Sequence, residues 1–315
     1  MTMPSPILVS VIVPVLNEGG GVESLLRRLR ETLSLLPSYQ WELVVVDDGS
    51  TDDSVARLRQ HAPLFPGRVH LLSFSRNFGH QRALLAGLQQ AQGDAIIMID
   101  ADLQDPPELF STFLEKFQEG YEVVFGIRRR RQEGFWKVLG YKIFYRIFDR
   151  LAEVPIPLDA GDFGLISRRV AQILGQMEEQ DVFLRGLRGW VGFRQTGVPY
   201  DRPARVIGET KYNLRRLLRL AASAFFGYSS LPLRVATGLG LVVMILAVVY
   251  AALALYGSLV LSNNPPGWTS LIIVILLFSG VQLLTIGILG EYIGRIYKQS
   301  LRRPLYLTQQ SERLQ

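Results

Sequence analysis

The stretch IIMIDADLQDPP, residues 96–107, sets Asp100, Asp102 and Asp105 directly after an apolar run. Carboxylates that close repel one another, so a site that keeps them ionised needs a counter-charge. A divalent cation supplies one, and Asp102 with the side-chain oxygen of Gln104 are hard donors suited to Mg2+ or Mn2+. Magnesium retains waters and uses only one or two protein carboxylates, which leaves room for substrate phosphates. The stretch therefore predicts a metal site that receives a diphosphate. The competing reading is a set of surface turn acids ahead of a helix starting at Pro106, and for Asp105 alone it is the better one.

The elements around this stretch alternate. ILVSVIVPVL, WELVVVDD, RVHLLSFS, DAIIMID and YEVVFGIR read as buried strands. Between them, VESLLRRLRETLSLL, STDDSVARLRQH, HQRALLAGLQQA and PPELFSTFLEKFQEG carry helical apolar spacing. Ser50 or Thr51 is the expected cap of the second helix, and the prolines suit the start of the fourth. Such alternation predicts an α/β fold, a parallel sheet with helices on both faces. Ligands bind such sheets beyond the carboxyl ends of the strands. Asn17 and Glu18, Asp47 and Asp48, and Asp100 and Asp102 all fall at those ends.

Several classes are excluded or disfavoured. NEGGGVE is not G-x-G-x-x-G, and no P-loop pattern occurs. There is no cysteine, hence no disulfide or thiolate metal site. His61, His70 and His80 show no metal spacing and read as core or surface residues. The net charge is +6 and the pI about 9.6. The basic residues gather beside the apolar C-terminal third and after the fifth strand, which argues against nucleic acid as a partner.

No charged residue occurs from Val235 to Gly290, and SNNPPG (262–267) interrupts the run once. Segments 235–261 and 268–290 each reach the ~20 residues that cross a bilayer core as a helix, so two transmembrane helices are expected. Arg215, Arg216, Arg219 and Arg234 precede the pair, Arg295, Lys298, Arg302 and Arg303 follow it, and the connecting turn has no Lys or Arg. That asymmetry predicts cytoplasmic termini and a cytoplasmic main domain. The N-terminus lacks a signal peptide's basic region, so this domain is expected to stay where it is made. YNLRRLLRLAASAFFGYSSLPLR reads as an amphipathic helix in the headgroup plane. The expected layout is a catalytic domain over 1–210, an interfacial helix over 211–234, a transmembrane hairpin over 235–294 and a cytoplasmic tail over 295–315. The lipid bilayer is thus one partner, and self-association is left open.

VIVPVLNE, LVVVDDGSTD, SRNFGHQRALLAGLQQAQGD and IDADLQDPPEL together resemble glycosyltransferase family 2. DAGDFGLISRRV, RGLRGWVGF, GETKYNLRRLLRLA and GEYIGRIYKQSLRRPLYL narrow the likeness to the polyprenyl-phosphate glycosyltransferases. The resemblance spans roughly residues 7–308. It implies a GT-A, Rossmann-like, nucleotide-sugar-binding domain in an integral protein of the plasma (inner) membrane. Pro14, Asn17, Glu18, Asp47, Asp48 and Asp100 match positions that grip the donor nucleotide sugar, with Asp48 the better partner for base or ribose. Asp100, Asp102 and Gln104 match the metal motif. Arg128 and Arg131 match basic residues that close on phosphates, whereas Arg129 and Arg130 read as a solvated face. Asp159 and Asp162 match the acceptor-side motif, where either orients or deprotonates the acceptor, and Lys211 is placed to meet a lipid phosphate.

The activity so implied is metal-dependent, inverting transfer of one sugar from a nucleotide diphosphate sugar to polyprenyl phosphate. Glucose from UDP-glucose is the first expectation and mannose from GDP-mannose the second; a non-catalytic membrane scaffold of the same fold is the alternative outside enzymology. The Q-x-x-R-W motif of polymerising synthases is only approximated by Arg188-Gly189-Trp190. One departure stands out: relatives often read GDFRL, but here Gly164 replaces the arginine. Either Arg168 or Arg169 substitutes, or Arg128 and Arg131 carry the phosphate clamp.

Overall fold

A computed structural model describes residues 6–128, 160–201, 231–260 and 267–315. The chain divides into two units, Met1–Asp149 with Val154–Lys211 and Pro304–Gln315, and Arg150–Glu153 with Tyr212–Arg303.

The first unit is built on β1 (Leu8–Val15), β2 (Gln40–Asp47), β3 (Arg68–Phe74), β4 (Ala95–Met98), β5 (Val123–Arg128), β6 (Ala160–Ser167), β7 (Gln195–Tyr200) and β8 (Thr308–Arg313). They form one eight-stranded sheet in the order β7-β5-β6-β4-β1-β2-β3-β8. The helices are α1 (Val22–Ser34), α2 (Ser54–His61), α3 (His80–Gln90), α4 (Phe110–Gln118), α5 (Arg168–Gly175) and α6 (Leu184–Trp190). Alternation along β1 divides the core. Val9, Val11, Val13 and Val15 join Leu25, Leu26 and Leu29 of α1 and Phe110 and Phe113 of α4. Ile12, with Val44 and Val46 of β2, joins Leu84, Leu85 and Leu88 of α3 and Val170 and Leu174 of α5. Successive strand side chains point to opposite faces, so one β-branched run serves both layers. Pro14 lies in this central strand without breaking a ladder. The β1–β4 register ends at Ile12 and Met98, so the missing N–H falls where pairing on that side has stopped.

The sheet is mixed, not wholly parallel as the alternation suggested. β1, β2, β3 and β4 are parallel, as are β5 and β7. β6 enters between β4 and β5 antiparallel to both, and β8 runs antiparallel to β3. Both reversed strands lie beyond the five-strand alternation visible in the sequence. β6 approaches β5 so closely that a Cβ at Gly164 would collide with the Val124 carbonyl oxygen and sit 3.0 Å from Phe125 Cα. With the strands at this separation, a side chain at 164 would collide with the β5 backbone. β8 is TQQSER, an almost wholly exposed polar edge with no apolar alternation to announce it. The expected cap of α2 is also corrected. That helix starts at Ser54 after Asp53, which makes no side-chain cap bond, while Ser50 and Thr51 are drawn into the loop described below.

The second unit contains α7 (Leu231–Val260) and α8 (Trp268–Ser300). By length and composition, one segment among the described residues, Leu277–Ser300, can cross a membrane; Ala236–Tyr250 is a shorter apolar helix. Leu246, Val248, Leu253, Leu271, Leu283 and Ile286 all present more than half their surface. The expected interfacial helix lies almost wholly outside the described residues.

Phe163 tests the core that carries the site. It is 2% exposed, with ring centroids 5.0 Å from Phe113 and 5.6 Å from Tyr200. Phe163→Ala is expected to cost about 3–5 kcal/mol, read as a lower denaturation midpoint of the full chain in detergent. An unchanged midpoint would contradict this packing.

Candidate active site

The carboxyl ends of β4, β1 and β2 lie side by side, and their loops are stitched together. Asn17 has φ 55°, a left-handed conformation that asparagine tolerates better than most residues. Its Oδ1 accepts the Thr51 N–H at 2.8 Å, and its own N–H donates to Ser50 Oγ at 2.9 Å. Glu18 N–H donates to Ser54 Oγ at 2.9 Å, and Asp47 Oδ1 accepts the Ser50 N–H at 2.9 Å. Asp48 is buried, and its carboxylate accepts the N–H groups of Phe78 (2.6 Å) and Gly79 (2.9 Å). Burial pushes the Asp48 carboxyl up in spite of those two bonds and nearby His80, with Asp47 adding to the rise. Asp48 therefore anchors the loop ahead of α3, which begins at His80.

Opposite these loops stands Asp162 of β6, 8% exposed. Arg185 of α6 grips it with two parallel bonds, Nε to Oδ1 and Nη2 to Oδ2, both 2.9 Å. Gln81 Nε2 donates to Oδ2 at 3.0 Å, and Gln81 Oε1 accepts the Leu184 N–H at 2.9 Å, tying α3 to α6. His80 Nε2 lies 3.5 Å from Asp162 Oδ2 and 3.6 Å from Asp100 Oδ1. Burial alone would raise the Asp162 carboxyl, but Arg185 and His80 outweigh it and hold the group well below the usual carboxylate range. His80 moves the other way: burial would lower it, yet Asp162 and Asp100 hold it above the ordinary imidazole value. Behind the pair, Arg188 is buried, donates to the Gly161 carbonyl at 3.1 Å, and is pushed down by burial to about 10, so it stays cationic at neutral pH.

Asp105 is not the exposed turn acid that its position suggested. It is 1% exposed and accepts a short hydrogen bond from the Tyr200 hydroxyl, which in turn accepts from Arg128 Nε at 3.3 Å. The tyrosine that needs this partner lies on β7, far away in sequence, so local spacing gave no hint of it. Burial, then Asp105, pushes the Tyr200 hydroxyl far above its ordinary value and keeps it a donor. The guanidinium of Arg128 also borders Gly161, next to Asp162; a Cβ on that glycine would come within 3.1 Å of Nη2.

Of the residues singled out from the sequence, Pro14, Asn17, Glu18, Asp47, Asp48, Asp100, Asp102 and Gln104 all occupy the ends of these three strands and the loops just beyond. Asp162 and Arg128 flank one another across Gly161. Arg131, Asp159 and Lys211 lie outside the described residues. Arg168 and Arg169 are engaged elsewhere. The first donates to the Gln92 carbonyl at 3.0 Å, and the second stands 3.8 Å from Glu122 and over the Phe193 ring. Sequence reasoning missed His80, Gln81, Arg185, Arg188 and Tyr200. RGLRGW was visible as a near-miss to a longer motif, but which acid its first arginine would meet was not.

Asp100 keeps 32% of its side chain open. Burial of the rest raises its carboxyl, and Asp105, Asp162 and Asp102 add to that rise against the opposing pull of His80. Among the described residues no group of three or more His, Asp or Glu side chains converges as a metal ligand set. Asp102 is half-buried, with one oxygen accepting the Gln104 N–H at 3.2 Å. An all-oxygen pair of carboxylates fits a hard cation that takes few protein ligands and fills its shell from water and phosphate. The donors fit Mg2+ or Mn2+, and they do not form a closed protein cage.

A mixed α/β sheet with acids at the ends of three adjacent parallel strands defines a GT-A, Rossmann-like nucleotide-sugar domain. The chain belongs to glycosyltransferase family 2 and is a glycosyltransferase. The model for glycosyl transferase family 2 matches residues 10–174, and that for the GtrB C-terminal hairpin matches 231–296. An uncharacterized glycosyltransferase of Bacillus subtilis (strain 168) is 44% identical over 96% of this chain and 93% of its own length. A bactoprenol glucosyl transferase of Shigella phage SfV is 40% identical over 95% of this chain and 97% of its own. The prophage bactoprenol glucosyl transferase homolog of Escherichia coli (strain K12) is 39% identical with the same coverages, 95% and 97%. Among solved structures, glucosyl-3-phosphoglycerate synthase from Mycobacterium tuberculosis, in complex with Mn2+, UDP-glucose and phosphoglyceric acid, aligns with a TM-score of 0.45 at 23% identity, covering 70% of this chain and 78% of that one.

The Asp162–Arg185 pair has a pH signature. Asp162 is held below its unfolded value of about 3.9. Its contribution to stability is therefore complete above that pH and is lost as the pH falls further. Arg185→Met leaves a buried carboxylate without its main partner. The expected cost at pH 7 is about 3 kcal/mol, the low end for breaking a buried pair, because the Arg185 side chain is 36% exposed. The gap between parent and variant should shrink in denaturation series below about pH 4, where Asp162 is protonated in the unfolded chain. A gap independent of pH would contradict the assignment.

Proposed function

We propose that the chain transfers one glucose from UDP-glucose to a polyprenyl phosphate at the cytoplasmic face of the plasma (inner) membrane, inverting the anomeric centre. The observation that carries this reading is likeness to bactoprenol glucosyl transferases at 39–40% identity over at least 95% of the chain, with the C-terminal hairpin included.

Residue chemistry supports each part. Pro14, Asn17, Glu18 and Asp47 form the nucleotide end of the cleft. Asp48 is already committed to two backbone N–H groups, so its role shifts from reading the base to holding the loop that faces it. Asp100, Asp102 and Gln104 would hold Mg2+ or Mn2+. A divalent cation bound there adds positive charge where the donor diphosphate leaves. Arg128 borders the site and would stabilise negative charge on the phosphates; the family resemblance assigns Arg131 to the same task and Lys211 to the acceptor phosphate, both outside the described residues. The acceptor phosphate is largely ionised near neutral pH, since comparable monoesters have a second pKa of ~6. A strong general base is therefore unnecessary. Asp162 suits such a reaction as a fixed anion: with Arg185 it sets the position of His80 and of the cationic wall behind it, and it is a poor proton acceptor. Asp159 stays a candidate for orienting the acceptor.

The two apolar helices serve as the anchor. The run from Val235 to Gly290 has no charge, and the basic residues stand only at its two flanks. That pattern supports two spans with both termini cytoplasmic, and the alternation of arginines and apolar residues over 211–234 supports an interfacial role for that segment. The acceptor's prenyl tail then stays in lipid while its phosphate reaches the cleft.

Membranes containing the protein are incubated with a panel of labelled nucleotide sugars, and the lipid is extracted. UDP-glucose should label it, chelation should stop the labelling, and added Mg2+ or Mn2+ should restore it. Asp102→Asn should lower transfer by about 10²–10³-fold, as for loss of one charge-stabilising group, with the protein still folded and membrane-bound. Undiminished labelling in the chelated parent would overturn the metal role, and absence of label from every donor would overturn the reaction.

A further inference from the structure

We propose that the strap Pro304–Thr308, acting through Tyr306, positions the loop Ser75–Gly79 and thereby sets the affinity of the donor site. The proposal rests on the nucleotide-sugar reading above, because that loop closes the end of the cleft where Asp48 sits. Tyr306 is a positioning residue, and nothing requires it to touch substrate.

The loop is held at both ends. At its far end the N–H groups of Phe78 and Gly79 donate to Asp48. At its near end the Ser75 N–H donates to the Leu307 carbonyl at 2.9 Å. Between these points the aromatic rings are coupled. Tyr306 stacks on Phe74 with centroids 4.8 Å apart and planes at 20°, and Phe74 meets the edge of Phe78 at 5.7 Å and 88°. Such ring pairs contribute beyond their buried area. The Arg76 guanidinium lies 4.0 Å from the centre of the Phe78 ring on the loop itself. The Tyr306 hydroxyl donates to Gln89 Oε1 at 2.6 Å, so the same side chain braces α3, whose first residue is His80. The strand before the loop, the start of the loop and the helix after it thus all bear on one short segment.

The opposite side leaves the loop nowhere to relax. Gly49 has φ 76°, and a Cβ there would lie 2.5 Å from the Arg76 carbonyl carbon and 2.8 Å from Asn77 N. The β2–α2 turn therefore packs backbone against backbone on the loop. The loop is thus held by Asp48 and Gly49 on one side and by Tyr306 and Leu307 on the other. Without the strap, only the Asp48 side remains. The strap continues directly into β8, where Thr308 pairs with Phe74 across a register shift, so it is itself fixed by a strand of the catalytic sheet.

The test uses the full-length enzyme in detergent with Tyr306→Ala and Tyr306→Phe. Phenylalanine keeps the stack and loses only the bond to Gln89. In Tyr306→Ala, hydrogen exchange at the amides of 75–79 should quicken about tenfold, with β1 and β2 still protected as in the parent. The KM for UDP-glucose should rise about fivefold, with the KM for polyprenyl phosphate unchanged. Tyr306→Phe should restore both readouts to near the parent values. Loop exchange at the parent rate in Tyr306→Ala, or exchange that quickens uniformly across the sheet, would overturn the proposal. Exchange is measured without substrate, so it tests the positioning of the loop even if the transfer reaction proves to be a different one, and an unchanged KM for UDP-glucose beside quickened loop exchange would overturn the link to donor affinity.

Discussion

Negative charge gathered at the ends of three strands is the constraint on which the rest of the molecule depends. Asp105, Asp162 and Asp102 all add to the rise of the Asp100 carboxyl that burial begins. Like charges at that range cannot all persist without compensation. The fold supplies it unequally. Asp162 receives a two-pronged arginine and a glutamine amide; Asp105 receives a tyrosine hydroxyl backed by Arg128; Asp100 has His80 nearby. Asp100 and Asp102 are the hard oxygen donors that suit an incoming cation and its diphosphate.

This distribution explains why elements remote in sequence belong to one site. Arg185 comes from α6, Gln81 and His80 from the first turn of α3, and Tyr200 from the end of β7. Each can act only if its element is held in place: the aromatic cluster of Phe110, Phe113, Phe163 and Tyr200 holds β7 in one layer, and Leu84, Leu85, Leu184 and Leu187 pack α3 and α6 in the other. The buried arginine Arg188, bonded to the Gly161 carbonyl, fixes the backbone next to Asp162. Electrostatic stabilisation is effective when charges are fixed before the reaction, because no reorganisation is then required.

What the sequence made legible follows from locality. The βα alternation, the acids at strand ends and the Asp100–Gln104 motif are encoded within windows of a few residues, where hydropathy and spacing are direct signals. β6 and β8 were not read as reversed strands. The first, AGDFGLIS, opens on small and polar residues and carries apolar side chains only from Phe163 on, and the second is polar and exposed. Asp105 was misjudged for the same reason: a carboxylate's burial depends on a partner ninety-five positions away. His80 looked inert because the acids that raise it, Asp100 and Asp162, are its neighbours only after folding. Gly164 was noticed as a departure, yet the β5 backbone that it lies against is met only across the sheet.

Carboxylates grouped in this way should bind the anionic donor only together with a cation. Calorimetric titration of UDP-glucose into the full-length protein, repeated across Mg2+ or Mn2+ concentrations, tests this most directly. The account predicts that donor affinity climbs with free cation and that cation affinity climbs equally with donor, as reciprocal linkage requires. Donor binding of the same strength in chelator and in saturating cation would contradict it.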